Sequence, residues 1–173
     1  ELGEVGGMLS RGGVQSMFFT QTIVILALSL GGLLTALGIL PALLSGLKET
    51  LTHSGRAIFA AAMSALSINV LIGEQYLSIL ISGTTFRSTF ERLNLHPKNL
   101  SRTIEDAGTV INPLVPWSVC GVFISQALGV PVLDYLPYAF FCYLSLLLTL
   151  LFGFTGITIS HLDKTDEGLN KHI

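Results

Sequence analysis

From Met17 to Leu47 the chain carries no charged residue, a run longer than the roughly 20 apolar residues with which an α-helix crosses the hydrocarbon of a bilayer. Water is absent there, so every backbone N–H and C=O must find its partner within the protein, and the chain is held to helix wherever it meets lipid. Composition agrees: 50% of the residues are apolar and 12% charged, with a mean hydropathy of +0.69. The expected fold class is an all-α integral membrane protein of about four transmembrane segments, some discontinuous or re-entrant.

Taken in order, residues 1–16 are a glycine-rich lead-in with Arg11 as its one base, followed by a transmembrane region over 17–160 and a polar tail over 161–173. Spans are expected near 17–47, 57–86, 107–133 and 136–160. The Gly31-Gly32 pair, Gly38 and Pro41 suggest a tilted first crossing or one followed by a short second piece, with small residues that admit a close neighbour. Lys48, Glu49, His53 and Arg56 form a polar connection. In the second span Asn69 and Glu74 flank Gly73, and since residues five apart point in different directions on a helix, they share a site only if the backbone unwinds there. That reads as half-helix, Gly-Glu break, half-helix, although Glu74 also fits a charge at a helix end.

The loop over 87–102 gathers Arg87, Arg92, Lys98 and Arg102, which places it on the cytoplasmic side. Alternation then puts Arg11 and the tail inside, and 48–56 and Asp134 outside. His96 before Pro97 marks a turn. Ser101 or Thr103 is expected to cap a short helix leading onward. Tyr135 and Tyr138 read as interface anchors, and the Leu- and Phe-rich run from Leu136 to Ile159 as a packing and lipid-facing helix.

The third span opens on Glu105–Trp117, EDAGTVINPLVPW, where two carboxylates, a glycine and two prolines run into apolar sequence. Pro113 and Pro116 lack backbone N–H groups, so carbonyls near 109 and 112 lose their helical partners, and Gly108 loosens the main chain further. Broken backbone survives at membrane depth only where it is packed in protein or lines a wet cavity. Freed carbonyls, the Thr109 hydroxyl, the Asn112 amide and the carboxylates of Glu105 and Asp106 make an oxygen-rich cluster suited to a small cation. A Pro-rich loop entering a helix is the plainer alternative. Trp117 fits either an interfacial belt or a wall beside such a site.

RGGVQSM at Arg11–Met17, GEQY at Gly73–Tyr76, LSRTIEDAGTVINPLVPW at Leu100–Trp117 and LGVPVLDYLPYAF at Leu128–Phe140 resemble, in order and spacing, the C-terminal half of NhaC-type sodium/proton antiporters. The resemblance covers nearly the whole chain except the tail. It implies a multi-pass exchanger of the cytoplasmic membrane within the ion transporter superfamily, one half of an inverted-repeat transporter, with the N-terminal half as the missing partner. It further implies Na⁺ and H⁺ as transported ions and no cofactor. Burial disfavours a carboxylate's anion while a bound cation favours it, so one acid can exchange the two ions. Asp106 is the first candidate for that acid and Glu105 the second. Thr109, Asn112 and Asn69 supply neutral oxygens, Glu74 is a second titrating group or a helix-end charge, and Na⁺ falls to Asp106, Thr109 and Asn112. Gly73, Gly108, Pro113, Pro116 and Trp117 form the breaks and walls.

Rival readings are a sodium-coupled malate/lactate exchanger, a passive channel and a non-transporting accessory subunit. None of the apolar runs holds an Arg or Lys for an organic anion. An intramembrane enzyme lacks its motifs: there is no His-Glu-x-x-His helix, Gly-x-Ser-x-Gly elbow or phosphate-binding loop. Cys120 and Cys142 sit in apolar runs as small hydrophobes, His53, His96, His161 and His172 lie in connections or the tail, and no basic surface suggests nucleic acid. A homo-oligomer is compatible with this reading.

Overall fold

Ala57, Ala60, Ala61, Ala62 and Ala65 are all buried, with Ile58 and Ile68, because the helix that carries them has neighbours on most of its circumference. The computed structural model describes residue 15, residues 18–40, residue 42 and residues 51–162. The rest of the lead-in, Pro41, Lys48, Glu49, and the tail beyond residue 162 lie outside the described residues. The elements in order are α1 (Phe18–Ala36), α2 (Ser54–Ile72), α3 (Gln75–Arg92), α4 (Pro97–Ile104), a π-helical turn (Glu105–Thr109), a 3₁₀ turn (Asn112–Leu114), α5 (Val119–Leu128), α6 (Val132–Tyr135), a second 3₁₀ turn (Leu136–Tyr138) and α7 (Phe140–Thr155).

Among the described residues there is no strand, only an isolated bridge between Leu95 and His161. Two helices, α1 and α2, are each long and apolar enough to cross a membrane. Two bent pairs, Pro97–Leu114 with Val119–Leu128 at 44° and Val132–Tyr138 with Phe140–Thr155 at 57°, bring the number of apolar spans to as many as four. The fold is that of an all-α membrane protein with discontinuous segments.

Small residues decide which helices meet α2. On α7, a Cβ added at Gly153 would stand 2.8 Å from Ile58 Cγ2, and one at Gly55 of α2 would stand 2.9 Å from the Gly153 carbonyl. The two backbones therefore touch, as small-residue helix contacts in membranes do. α1 is the outlying element. It is joined to α5 by the Thr20 hydroxyl, 3.2 Å from Gln126 Oε1, and Gly31 abuts Leu77 and Ile72. Gly32 and Gly38 face open space, and Gly38, with φ at 73°, ends the helix. Phe19, Ile25, Leu26 and Leu33 are left exposed on α1, a surface that needs lipid or further protein to cover it.

Residues 57–86 do not continue as one interrupted crossing. At Gly73 the chain turns back, and α3 packs antiparallel against α2. The Ser78 hydroxyl donates to the Ala65 carbonyl at 2.6 Å, Ser64 and Ser82 hydroxyls meet at 3.0 Å, and at the far end Arg92 Nη2 donates to the Leu51 carbonyl at 3.2 Å. Gly73, with φ at 76°, supplies the left-handed residue that such a reversal requires. Glu74 then caps α3, its Oε2 accepting from the Leu77 N–H at 3.0 Å.

The hairpin changes two local expectations. Residues 51–56, the described part of the connection expected on the opposite side, lie at the same end of the hairpin as the loop over 87–102, because Leu51 and Arg92 are in contact. The start of the tail joins the same end: Asn99 Nδ2 donates to the Ser160 carbonyl at 2.7 Å, and the His96 N–H donates to the same oxygen at 2.9 Å. α4 is capped by His96, whose Nδ1 accepts from the Lys98 N–H at 3.1 Å, with Pro97 as the first helical residue. Ser101 and Thr103, expected as caps, lie inside that helix because Pro97 is already preset for its first turn. Single cysteines placed at the exposed positions Thr52 and Ser88 should react with an impermeant thiol reagent from one and the same side of the membrane; labelling from opposite sides would contradict the hairpin.

Candidate functional site

Five residues, Glu105–Thr109, wind as a π-helix, with the Val110 N–H donating to the Glu105 carbonyl at 3.1 Å. In that register each carbonyl looks five residues ahead, so the Gly108 carbonyl needs the N–H of residue 113, which is a proline and has none. The wider winding moves the first orphan from residue 109, where α-helical counting places it, to Gly108. Asn69 of α2 fills the gap: its Nδ2 donates to the Gly108 carbonyl at 2.6 Å. Asn112 Nδ2 in turn donates to Asn69 Oδ1 at 2.5 Å, and Asn112 Oδ1 accepts from the Cys120 N–H at 3.3 Å.

The second proline is answered in a similar way. The Asn112 carbonyl, which an α-helix would pair with residue 116, accepts from the Val115 N–H at 3.1 Å and from the Ser118 hydroxyl at 2.6 Å. Ser118 also accepts from the Gly121 N–H at 2.9 Å, which starts α5. Both asparagines are fully buried. Their amides bond main chain and each other, so they brace the chain across the break.

The tip of the hairpin docks on the same break. A Cβ at Gly73 would lie 3.0 Å from the Trp117 carbonyl and 3.1 Å from Ser118 Cα. The Gly73 carbonyl accepts from the Val119 N–H at 3.0 Å, and Trp117 Nε1 donates to the Val70 carbonyl at 2.7 Å. Trp117 thus latches the two discontinuities together while its ring stays exposed. Tyr135, read as an interface anchor, donates its hydroxyl to the Pro113 carbonyl at 2.5 Å.

Asp106 lies within the π-turn, partly buried, and faces α7. The Ser145 hydroxyl donates to Asp106 Oδ1 at 2.6 Å, and the Thr149 hydroxyl donates to Oδ2. Three residues further along the turn, the Thr109 hydroxyl is buried with no hydrogen-bond partner among the described residues. Glu105 is exposed and stands outside this group. Glu74 is occupied as a helix cap, and although the backbone does unwind at Gly73, its carboxylate and the Asn69 amide serve different partners. Sequence reasoning passed over Ser118, Ser145 and Thr149. The one signal for the last two was a pair of hydroxyls four apart in an otherwise Leu- and Phe-rich helix, a spacing that puts them on one face.

Removing the brace should be costly. Asn69→Ala leaves the Gly108 carbonyl and one Asn112 N–H unpaired in a dry interior, a loss of about 1–3 kcal/mol for each buried group. A clear fall in melting temperature in detergent is the expected outcome, and an unchanged one would show that the break does not need Asn69.

A family model described as the Na⁺/H⁺ antiporter family matches residues 1–157. The chain is 50% identical over 155 residues to the Na⁺/H⁺ antiporter NhaC of Alkalihalophilus pseudofirmus, an alignment that covers 90% of this chain and 34% of that protein. To the NhaC of Bacillus subtilis it is 45% identical, over 85% of this chain and 32% of that one. To the arginine/ornithine antiporter ArcD of Halobacterium salinarum it is 44% identical, over 88% and 31%. The chain therefore spans about a third of the length of these curated relatives. No solved structure matches. With the family model extending over most of its length, the chain belongs to the Na⁺/H⁺ antiporter family.

Proposed function

We propose that this chain forms part of a secondary transporter of the cytoplasmic membrane that exchanges Na⁺ for H⁺ by alternating access, with Asp106 as the exchanging acid. The observation that carries the reading is the setting of Asp106: a partly buried carboxylate on a π-turn that leads into the proline-interrupted segment, met by the hydroxyls of Ser145 and Thr149, with the Thr109 hydroxyl of the same turn buried and without a hydrogen-bond partner among the described residues. Na⁺ is a small, hard cation served by carboxylate and neutral oxygens. Such an acid holds a cation or a proton and not both, because each neutralises the same charge in a medium that tolerates little net charge. Arrival of one ion therefore expels the other.

Alternating exposure needs a second body for this one to move against. The N-terminal portion of the transporter is the proposed partner, since the curated relatives are about three times as long as the aligned region. The loop over 87–102, together with residues 51–56 and 160–162 that meet it, is assigned to the cytoplasmic side by its basic residues. A relative named for Na⁺/H⁺ exchange at 50% identity favours cations over a malate/lactate exchange, as does the lack of Arg or Lys between residues 103 and 160. ArcD at 44% identity makes the substrate itself a point for measurement.

In sealed vesicles containing the intact protein, Asp106→Asn should abolish Na⁺-dependent proton movement while membrane insertion stays normal. Wild-type exchange and sodium affinity in that variant would remove Asp106 from the coupling role. In the unaltered protein, labelled arginine or malate should show no counterflow; robust counterflow with no response to Na⁺ would reject the assigned ions.

A further inference from the structure

Serine and threonine inside a helix usually turn their hydroxyls back to a carbonyl one turn earlier. This chain does so repeatedly: Thr22 donates to the Phe18 carbonyl at 2.8 Å, Ser29 to Ile25 at 2.7 Å, Thr84 to Leu80 at 2.8 Å and Thr155 to Leu151 at 2.9 Å. Ser145 and Thr149 depart from that habit. Each reaches from α7 to a different oxygen of Asp106, across 39 and 43 residues of sequence.

The helix that carries them has little freedom to place them elsewhere. Gly153, one turn beyond Thr149, lies against Ile58, and Gly55 lies against the Gly153 backbone, so the height of α7 on α2 is fixed by main-chain contact. Thr149 is buried, at 3% exposure, in a helix whose other faces are Leu and Phe. A hydroxyl that donates to a carboxylate still has two lone pairs, which are neutral hard-oxygen ligands of the kind a small cation takes.

We propose that Ser145 and Thr149 belong to the cation site, their hydroxyl oxygens joining the Asp106 carboxylate to hold Na⁺. This rests on the reading of Asp106 as the exchanging acid and adds to it the residues that set sodium affinity. In the cation-free state the two O–H groups keep the carboxylate's oxygens aimed and solvated in place of water. With Na⁺ present the same oxygens complete its shell without moving α7. When Asp106 is protonated it has one O–H of its own to donate, so one of the two hydroxyls must turn from donor to acceptor. The pair can serve all three states because a hydroxyl both donates and accepts.

The test uses Thr149→Val, which keeps the shape and removes the hydroxyl, Thr149→Ser, which keeps the hydroxyl, and Ser145→Ala, in sealed vesicles of the intact protein matched for inserted amount. The sodium concentration for half-maximal proton movement should rise about tenfold in Thr149→Val and in Ser145→Ala, on the scale of a hydrogen bond to a charged group. The rate at saturating sodium should change much less, and Thr149→Ser should stay close to wild type. Unchanged sodium dependence in both hydroxyl deletions, with Asp106→Asn inactive, overturns the inference and leaves Asp106 standing. Normal exchange in Asp106→Asn overturns both. A Thr149→Ser variant as impaired as Thr149→Val shows that shape matters instead of the oxygen, and also overturns it. Should Thr149→Val fail to insert, Ser145→Ala decides.

Discussion

The Gly108 carbonyl has no main-chain donor available to it, because the π-turn points it at Pro113, and most of the architecture can be followed from how that deficit is met. An unpaired peptide group buried in protein costs about 1–3 kcal/mol, a sizeable part of a protein's net stability. The group that pairs it comes from α2 through Asn69. Asn69 can reach it only if α2 stands beside the break, and α2 is held there by α3, α7 and its own run of alanines. The break and the bundle thus depend on each other.

Two interruptions of the chain are brought into one place by this arrangement. Gly73 reverses the hairpin, and the segment from Asn112 to Ser118 bends the broken span by 44°. Their main chains touch, with the Gly73 carbonyl accepting from Val119 and Trp117 donating back to Val70. Buried polar groups in such a contact cannot be half satisfied without penalty, which explains why amides and a serine hydroxyl fill the positions around it. By contrast, the ion pair between Arg87 and Glu91 is exposed and spaced four apart on one helix. It contributes at most about 1 kcal/mol and positions nothing at the break.

Much of this was legible in the residues. Uncharged runs gave the membrane class and the helices; Gly73 with Glu74 and the prolines at 113 and 116 marked the interruptions; Asp106 was singled out by its place before Ala107-Gly108-Thr109, and it is the acid that the hydroxyls of Ser145 and Thr149 meet. The role of the asparagines was not legible. A buried amide can ligate a cation or brace a carbonyl with the same atoms, and only the position of its neighbours selects between them. Ser145 and Thr149 were hidden for a related reason. Helical hydroxyls usually satisfy themselves locally, so the four-residue spacing of the pair marked a shared face and did not reveal the carboxylate that the face meets.

What the sequence determined alone is whatever depends on near neighbours in the chain: helix over the apolar runs, a break wherever proline removes a donor, a reversal wherever glycine admits a left-handed residue. Tertiary structure decided the rest. It turned the expected single crossing over 57–86 into a hairpin, brought Leu51 to Arg92, and set the hydroxyls of α7 against the carboxylate of the π-turn. These are contacts between residues some 40 positions apart. They are selected by which helix faces have backbones free to approach and which buried polar groups remain unpaired, and neither is a property of any one segment.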